Sequence, residues 1–172
     1  LTTSGAAAPG NGAPAGFDPR IFSYGHRNVQ GLAFAPGSGA LYVAEHGPNH
    51  SDEVTHVVAG SNGGWDPQNR AALSCPGGYC GYSGSPTTMP MTDLARFPDA
   101  RRPAWNNNSQ SQGLGPAVFL DGAAWRTWNG HLLVGVMGGQ RLARLRLAAD
   151  GSVAEAADVT TLPSARYRAL TL

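Results

Sequence analysis

Residues 31–58 read GLAFAPGSGALYVAEHGPNHSDEVTHVV, and the way this stretch folds decides the architecture of the chain. Residues 31–35, 40–45 and 52–58 are apolar runs that begin about ten residues apart, the spacing of a meander of short strands. Pro36-Gly37-Ser38-Gly39 separates the first two, and Gly47-Pro48-Asn49 separates the second from the third. The pattern suits a sandwich, a barrel or a propeller. Polar clusters frame it: Tyr24-Gly25-His26-Arg27-Asn28 before, Glu45-His46-Gly47-Pro48 inside, and Gly60-Ser61-Asn62-Gly63-Gly64-Trp65 after. Strand ends of this kind display chemistry rather than core.

Strand character returns further along, at residues 116–120, 131–136, 140–147 and 153–160. Asp121-Gly122, Asn129-Gly130, Gly138-Gly139 and Asp150-Gly151 punctuate these runs, so four strands with tight turns fill about 45 residues, the size of a propeller blade. The composition of Arg141–Leu147 also suits a helix, but its alternation of apolar residues with arginines and its flanking glycines favour a strand. Residues 166–170 look like a further strand start. Between the two sets lies a long excursion, residues 59–115, with few periodic apolar positions. Residues 1–16, nearly all Gly, Ala, Pro, Ser and Thr, read as a linker or surface loop.

Composition agrees with an all-β chain. There are 24 Gly and 13 Pro in 172 residues, only 13% of residues are charged, and Ile21 is the single isoleucine. Such a core is thin for the length and calls for a partner, a staple or further sequence. Every basic residue is arginine, and a net charge of +1 provides no field for nucleic acid or an anionic membrane. No apolar run approaches the roughly 18 residues that span a bilayer as a helix. Cys75 and Cys80 bracket Pro76-Gly77-Gly78-Tyr79, a spacing that permits a small disulfide loop and with it an oxidising compartment. Two free thiols are the alternative.

Two groups of residues carry candidate chemistry. Arg27 offers a rigid guanidinium fork and Asn28 an amide, a pair suited to a planar, polyanionic, carbonyl-bearing ligand. Equally, Arg27 could salt-bridge a loop and Asn28 cap a turn. Gly47, Pro48, Asp52 and Glu53 offer carbonyls and carboxylates close together, as a hard cation requires, although an acidic pair at a strand start can also be simply solvated. His46 and His50 are four apart, yet Gly47-Pro48 between them rules out a shared helical zinc face. His56 sits among valines and reads as a packed histidine.

Taken together, Gly25-His26-Arg27-Asn28-x-Gln30-Gly31-Leu32-Ala33-Phe34, Glu45-His46-Gly47-Pro48, Asp52-Glu53, Asn62-x-Gly64-Trp65, Trp128-Asn129-Gly130-His131-Leu132-Leu133-Val134 and Arg166-Tyr167-Arg168 resemble one family. This is the soluble glucose, sorbosone and aldose sugar dehydrogenases that depend on pyrroloquinoline quinone (PQQ), which are six-bladed β-propellers. The resemblance covers residues 17–70 well and 116–170 loosely. It implies a partial propeller over residues 17–172, about half of the six blades, with the long loop excursion at 59–115. It implies that Arg27, Asn28, Arg166 and Arg168 face the quinone, and that Gly47, Pro48, Asp52 and Glu53 line a calcium site. It implies oxidation of an aldose at its C1 hydroxyl by hydride transfer to PQQ, in a secreted, periplasmic or extracellular protein.

The same resemblance sets expectations of absence. The family's histidine base lies in a blade before the Gly-His-Arg-Asn turn, so none of the five histidines here fills that role and no catalytic residue is assigned. A lysine that contacts the cofactor in some members is replaced by Gly138 and Gly139. The chain is therefore expected to be catalytically incomplete by itself, its remaining blades lying elsewhere or in another chain. The alternative is a non-enzymatic propeller module that binds or supports, similar to the hedgehog-interacting protein ectodomain.

Overall fold

A computed structural model describes residues 1–66 and 90–172, so the Cys75–Cys80 pairing lies outside the described residues. The strands are β1 (Ser23–Tyr24), β2 (Val29–Phe34), β3 (Leu41–Glu45), β4 (Glu53–Val57), β5 (Ser61–Asn62), β6 (Trp105–Asn106), β7 (Leu114–Phe119), β8 (Leu132–Val136), β9 (Arg141–Leu147) and β10 (Val153–Val159). They form two four-stranded antiparallel meanders, β2-β3-β4-β6 and β7-β8-β9-β10, together with a two-stranded parallel pair, β1-β5. The seven strands expected from residues 31–35 through 153–160 all form, each shifted by a residue or two at its ends. Helix is excluded at Arg141–Leu147 because both neighbours offer ladders: Ala143 and Leu145 face the core between the blades, Leu142 is buried on the other face, and Arg144 and Arg146 reach Glu155 on β10.

The two meanders stand side by side as neighbouring blades of a β-propeller, with β2 packed against β7. That approach needs small residues on the facing strand. A Cβ on Gly31 would run into the Gly115 carbonyl, and Ala33 beside it is also small and buried. Behind this contact Tyr42, Ala44 and Val54 of the first blade meet Leu114, Phe119, Leu132, Val134, Val136 and Leu145 of the second in one core. Every residue of β8 is buried, which gives the second blade its rigid centre.

Three features depart from the sequence reading. Residues 166–170 form no strand: they cross the face of the second blade, not its edge, with the Tyr167 carbonyl over Gly135 and Tyr167 and Leu170 packed on Leu120, Leu133, Leu142 and Val159. The excursion 59–115 is not structureless, since β6 inside it closes the edge of the first blade against β4. Ala123–Trp128 coils into a short 3-10 segment between β7 and β8. His56 is packed as expected, stacked on Tyr42 at 5.0 Å, and burial followed by the Arg101 charge pushes its pKa down.

Candidate functional site

Propeller chemistry sits where the inner strands start, and here that rim gathers the starts of β2 and β7, the β3–β4 loop and the β8–β9 turn. Gly25 makes the first turn at φ 70°, and a side chain there would strike Asn62 Oδ1. The turn delivers Arg27, whose Nη1 donates to the His46 carbonyl at 2.5 Å and whose guanidinium lies 5.9 Å from the Trp65 ring centre. Asn28 is fixed at both ends of its backbone: its amide donates to Glu45 Oε1 at 3.2 Å, and its carbonyl accepts from the His46 amide at 3.0 Å.

His46 is the meeting point. Its ring lies close to Gly113 at the start of β7, and with Gln112, Gly138 and Arg166 it lines a cleft of about 400 Å³. The cleft has a side-chain-poor wall: Gly113, Gly138 and Gly139 line it, and a Cβ on Gly138 would press on the Gln112 carbonyl at 2.5 Å. Arg166 lines this cleft beside His46, whereas Arg27, on the neighbouring turn, grips the His46 carbonyl and is not among the residues that line it. Arg168 is exposed and does not line this cleft.

The acidic pair behaves differently from the expectation that it lines one calcium site. Asp52 is fully buried, and both of its oxygens are occupied by the chain itself. Oδ1 accepts from Gly47 N at 2.9 Å and Ser111 Oγ at 2.5 Å; Oδ2 accepts from Gln112 N at 2.7 Å and Gly113 N at 3.1 Å, with Asn107 Nδ2 at 3.3 Å. Five donors exceed the roughly four lone-pair positions of a carboxylate, so none is left for a cation. Glu53 is the next residue along the strand and therefore points to the other face. There it accepts from Thr92 Oγ1 at 2.8 Å and Asn106 Nδ2 at 3.0 Å. Burial, with the Glu45 and Asp52 charges adding to it, pushes the Glu53 pKa up to about 7. Asp52 and Glu53 thus point to opposite faces, each with its oxygens on protein donors, while Gly47 and Pro48 could offer only carbonyls. Among the described residues, no group of three or more His, Cys, Asp or Glu side chains is placed to hold a metal.

Sequence reasoning missed His46, Gln112 and Glu45. Glu45 and His46 stood inside the quoted motif, but their importance rests on contacts to residues 17 to 67 positions away. Nothing local in the sequence marks Gln112.

Comparison with known proteins follows the same outline. The family described as Glucose / Sorbosone dehydrogenase matches residues 1–171. Quinoprotein glucose dehydrogenase B of Acinetobacter calcoaceticus is 40% identical over 98 residues, covering 56% of this chain and 20% of that protein. An aldose sugar dehydrogenase of Escherichia coli is 51% identical over 45 residues, covering 26% of this chain and 12% of that one. A crystal structure of a glucose dehydrogenase superimposes with a TM-score of 0.76 at 34% identity, covering 98% of this chain and 46% of that one. The PQQ-bound aldose sugar dehydrogenase of Streptomyces coelicolor shares the fold, with a TM-score of 0.65 at 24% identity over 98% of this chain and 40% of that one. The chain thus spans less than half the length of these relatives.

Proposed function

The chain belongs to the glucose/sorbosone dehydrogenase family, and we propose that the rim around His46 is the cofactor-holding part of a PQQ-dependent aldose dehydrogenase. The observation that carries this reading is a glycine-walled cleft lined by His46 and Arg166, with Arg27 of the neighbouring turn bonded to the His46 carbonyl. Two arginines meet two of the carboxylates of a flat polyanion, and a wall of Gly113, Gly138 and Gly139 leaves room for a planar ring system. The neighbouring names, a quinoprotein and a PQQ-bound structure, point the same way.

When bound, PQQ supplies the two-electron acceptor for the hydride leaving C1 of an aldose. The chain's own part is positional. Arg27 and Arg166 fix the charged edges, the Asn28 amide group offers a donor and an acceptor, and Gly47 and Pro48 present main-chain oxygens. Calcium takes six to eight oxygens. Two carbonyls are too few for an isolated calcium, so the ion fits here only where a ligand and water complete its shell. Arg168, exposed beyond the cleft, is the weaker member of the cofactor set.

Leu32 and Phe34 are 55% and 63% exposed on the free face of β2, and a further blade of the same propeller or another chain is the partner that fits there. Among the described residues no helix is long and apolar enough to cross a membrane. We place the protein in a secreted, periplasmic or extracellular setting, the kind of compartment in which the cysteine spacing of the sequence permits a disulfide.

The test is a titration of PQQ with calcium, followed by absorbance and by thermal unfolding. The reading requires a spectral change and a midpoint that rises with PQQ concentration. Neither signal at saturating cofactor would leave the non-enzymatic propeller module as the better account.

A further inference from the structure

Behind Arg27 and Asn28 runs a line of short hydrogen bonds. Ser61 Oγ lies 3.1 Å from Ser23 Oγ, Ser23 Oγ lies 2.7 Å from His26 Nε2, and His26 Nδ1 lies 2.7 Å from Glu45 Oε2. Glu45 then uses its other oxygen, Oε1, to accept the backbone amides of Arg27 at 2.8 Å and Asn28 at 3.2 Å. Its side chain is 4% exposed and that of His26 16%, so each bond in the line is shielded from water.

We propose that Ser23, His26 and Glu45 form a positioning relay that holds the Arg27-Asn28 main chain at the cofactor cleft, with Glu45 as its central residue. The inference rests on the functional reading above and adds residues to it. Hydroxyl, imidazole and carboxylate in this order also activate nucleophiles in hydrolases. Here the order serves another end. Ser23 Oγ donates to the Ser61 carbonyl at 2.8 Å within the β1-β5 pair, so its proton is committed to the scaffold. The carboxylate at the far end is committed to two amides.

The geometry explains why the rim needs an acid at position 45. Residues 27 and 28 lie between Gly25 and the first ladder pair of β2, and the register of β2 shifts between Val29 and Gly31. The Asn28 carbonyl accepts the His46 amide, but the amides of Arg27 and Asn28 find no main-chain acceptor among the described residues at the point where the two side chains leave the main chain. One carboxylate oxygen serves both. His26 occupies the other oxygen and so prevents the carboxylate from rotating, and the serines fix the ring. The cofactor-facing side chains start from a backbone with one conformation, which reduces the ordering cost of binding.

The experiment measures amide hydrogen exchange at Arg27 and Asn28 by NMR in the free chain, and PQQ affinity with calcium, in wild type, Glu45→Ala, Glu45→Gln and His26→Ala. In Glu45→Ala both amides are expected to exchange at least about tenfold faster while Val134 in the second blade is unchanged, since a lost charged hydrogen bond carries roughly that factor. PQQ affinity falls by about the same factor. Glu45→Gln keeps an oxygen for the two amides and restores most of both; His26→Ala gives an intermediate loss. Unchanged exchange at Arg27 and Asn28 in Glu45→Ala overturns the relay, as does a Gln variant no better than Ala. If Glu45→Ala does not fold, His26→Ala decides by the same two amides. If wild type takes up no PQQ, the functional reading fails, and the exchange data alone still decide the relay.

Discussion

The two blades share one architecture and an apolar core, but only the first also buries acids. The first blade encloses Glu45, Asp52 and Glu53, all at or below 3% exposed. The second encloses Leu132, Leu133, Val134, Val136, Leu142 and Leu145 and keeps its charges at the rim of β9 and β10, where Arg144 and Arg146 meet Glu155. A buried carboxylate is costly unless it is fully hydrogen-bonded. The first blade meets that condition mainly with neutral donors: main-chain amides, Ser111, Thr92, Asn106 and Asn107. The difference teaches that the second blade is a support, whereas the first uses acids as rivets that fix loops. A propeller sheet alone does not specify how its loops lie; these carboxylates do.

The strongest way to break that comparison is Asp52→Ala. It leaves Gly47, Gln112 and Gly113 amides without their acceptor, and the loss of a buried, bonded charge costs about 3–5 kcal/mol of unfolding free energy. Chemical denaturation measures it, and a loss below about 1 kcal/mol, the scale of a surface pair, would mean that the hub is dispensable.

Next comes pH. Glu53 has its pKa raised to about 7 from 4.5, so the folded chain holds that proton more tightly than the unfolded one. Its contribution is fully present below pH 4.5 and is lost as pH rises toward 7, by up to about 3 kcal/mol for this one group. Glu53→Gln, uncharged throughout, flattens that part of the stability profile and is the more stable variant at pH 8. Thermal unfolding from pH 4 to 8 checks both statements; parallel profiles for the two proteins would contradict them.

The smallest effect belongs to the second blade. Glu155 is exposed and takes both Arg144 and Arg146. Its pKa is held down by those bonds, yet solvent screens the pairs, and Glu155→Ala is expected to leave the unfolding midpoint essentially where it was. A large drop there would erase the contrast between the blades.

Much of the fold was legible because β2, β3, β4 and β7 to β10 carry alternating or apolar runs between glycine turns. β1, β5 and β6 were not, since two residues leave no period to read. Residues 166–170 had the composition of a strand but cross the face of the second blade, not its edge, which no local pattern reveals. At the site, the Gly-His-Arg-Asn turn and Arg166 stood out only through the family resemblance, since spacing alone left Arg27 and Asn28 equally suited to a loop salt bridge and a turn cap. For Asp52 and Glu53 the sequence shows adjacency but not direction, and the pleat sends their side chains to opposite faces. Gln112 was invisible because its place depends on the Asp52 hub, 60 residues away in sequence.

The central claim is that two blades hold one cofactor between them, and calorimetric titration of PQQ in the presence of calcium into Arg27→Ala and Arg166→Ala, beside wild type, tests it most directly. The account predicts wild-type binding at one site and about a tenfold or greater loss in each variant, since each removes a charged contact to a carboxylate. Equal affinity in all three proteins would contradict it, as would a loss confined to one blade.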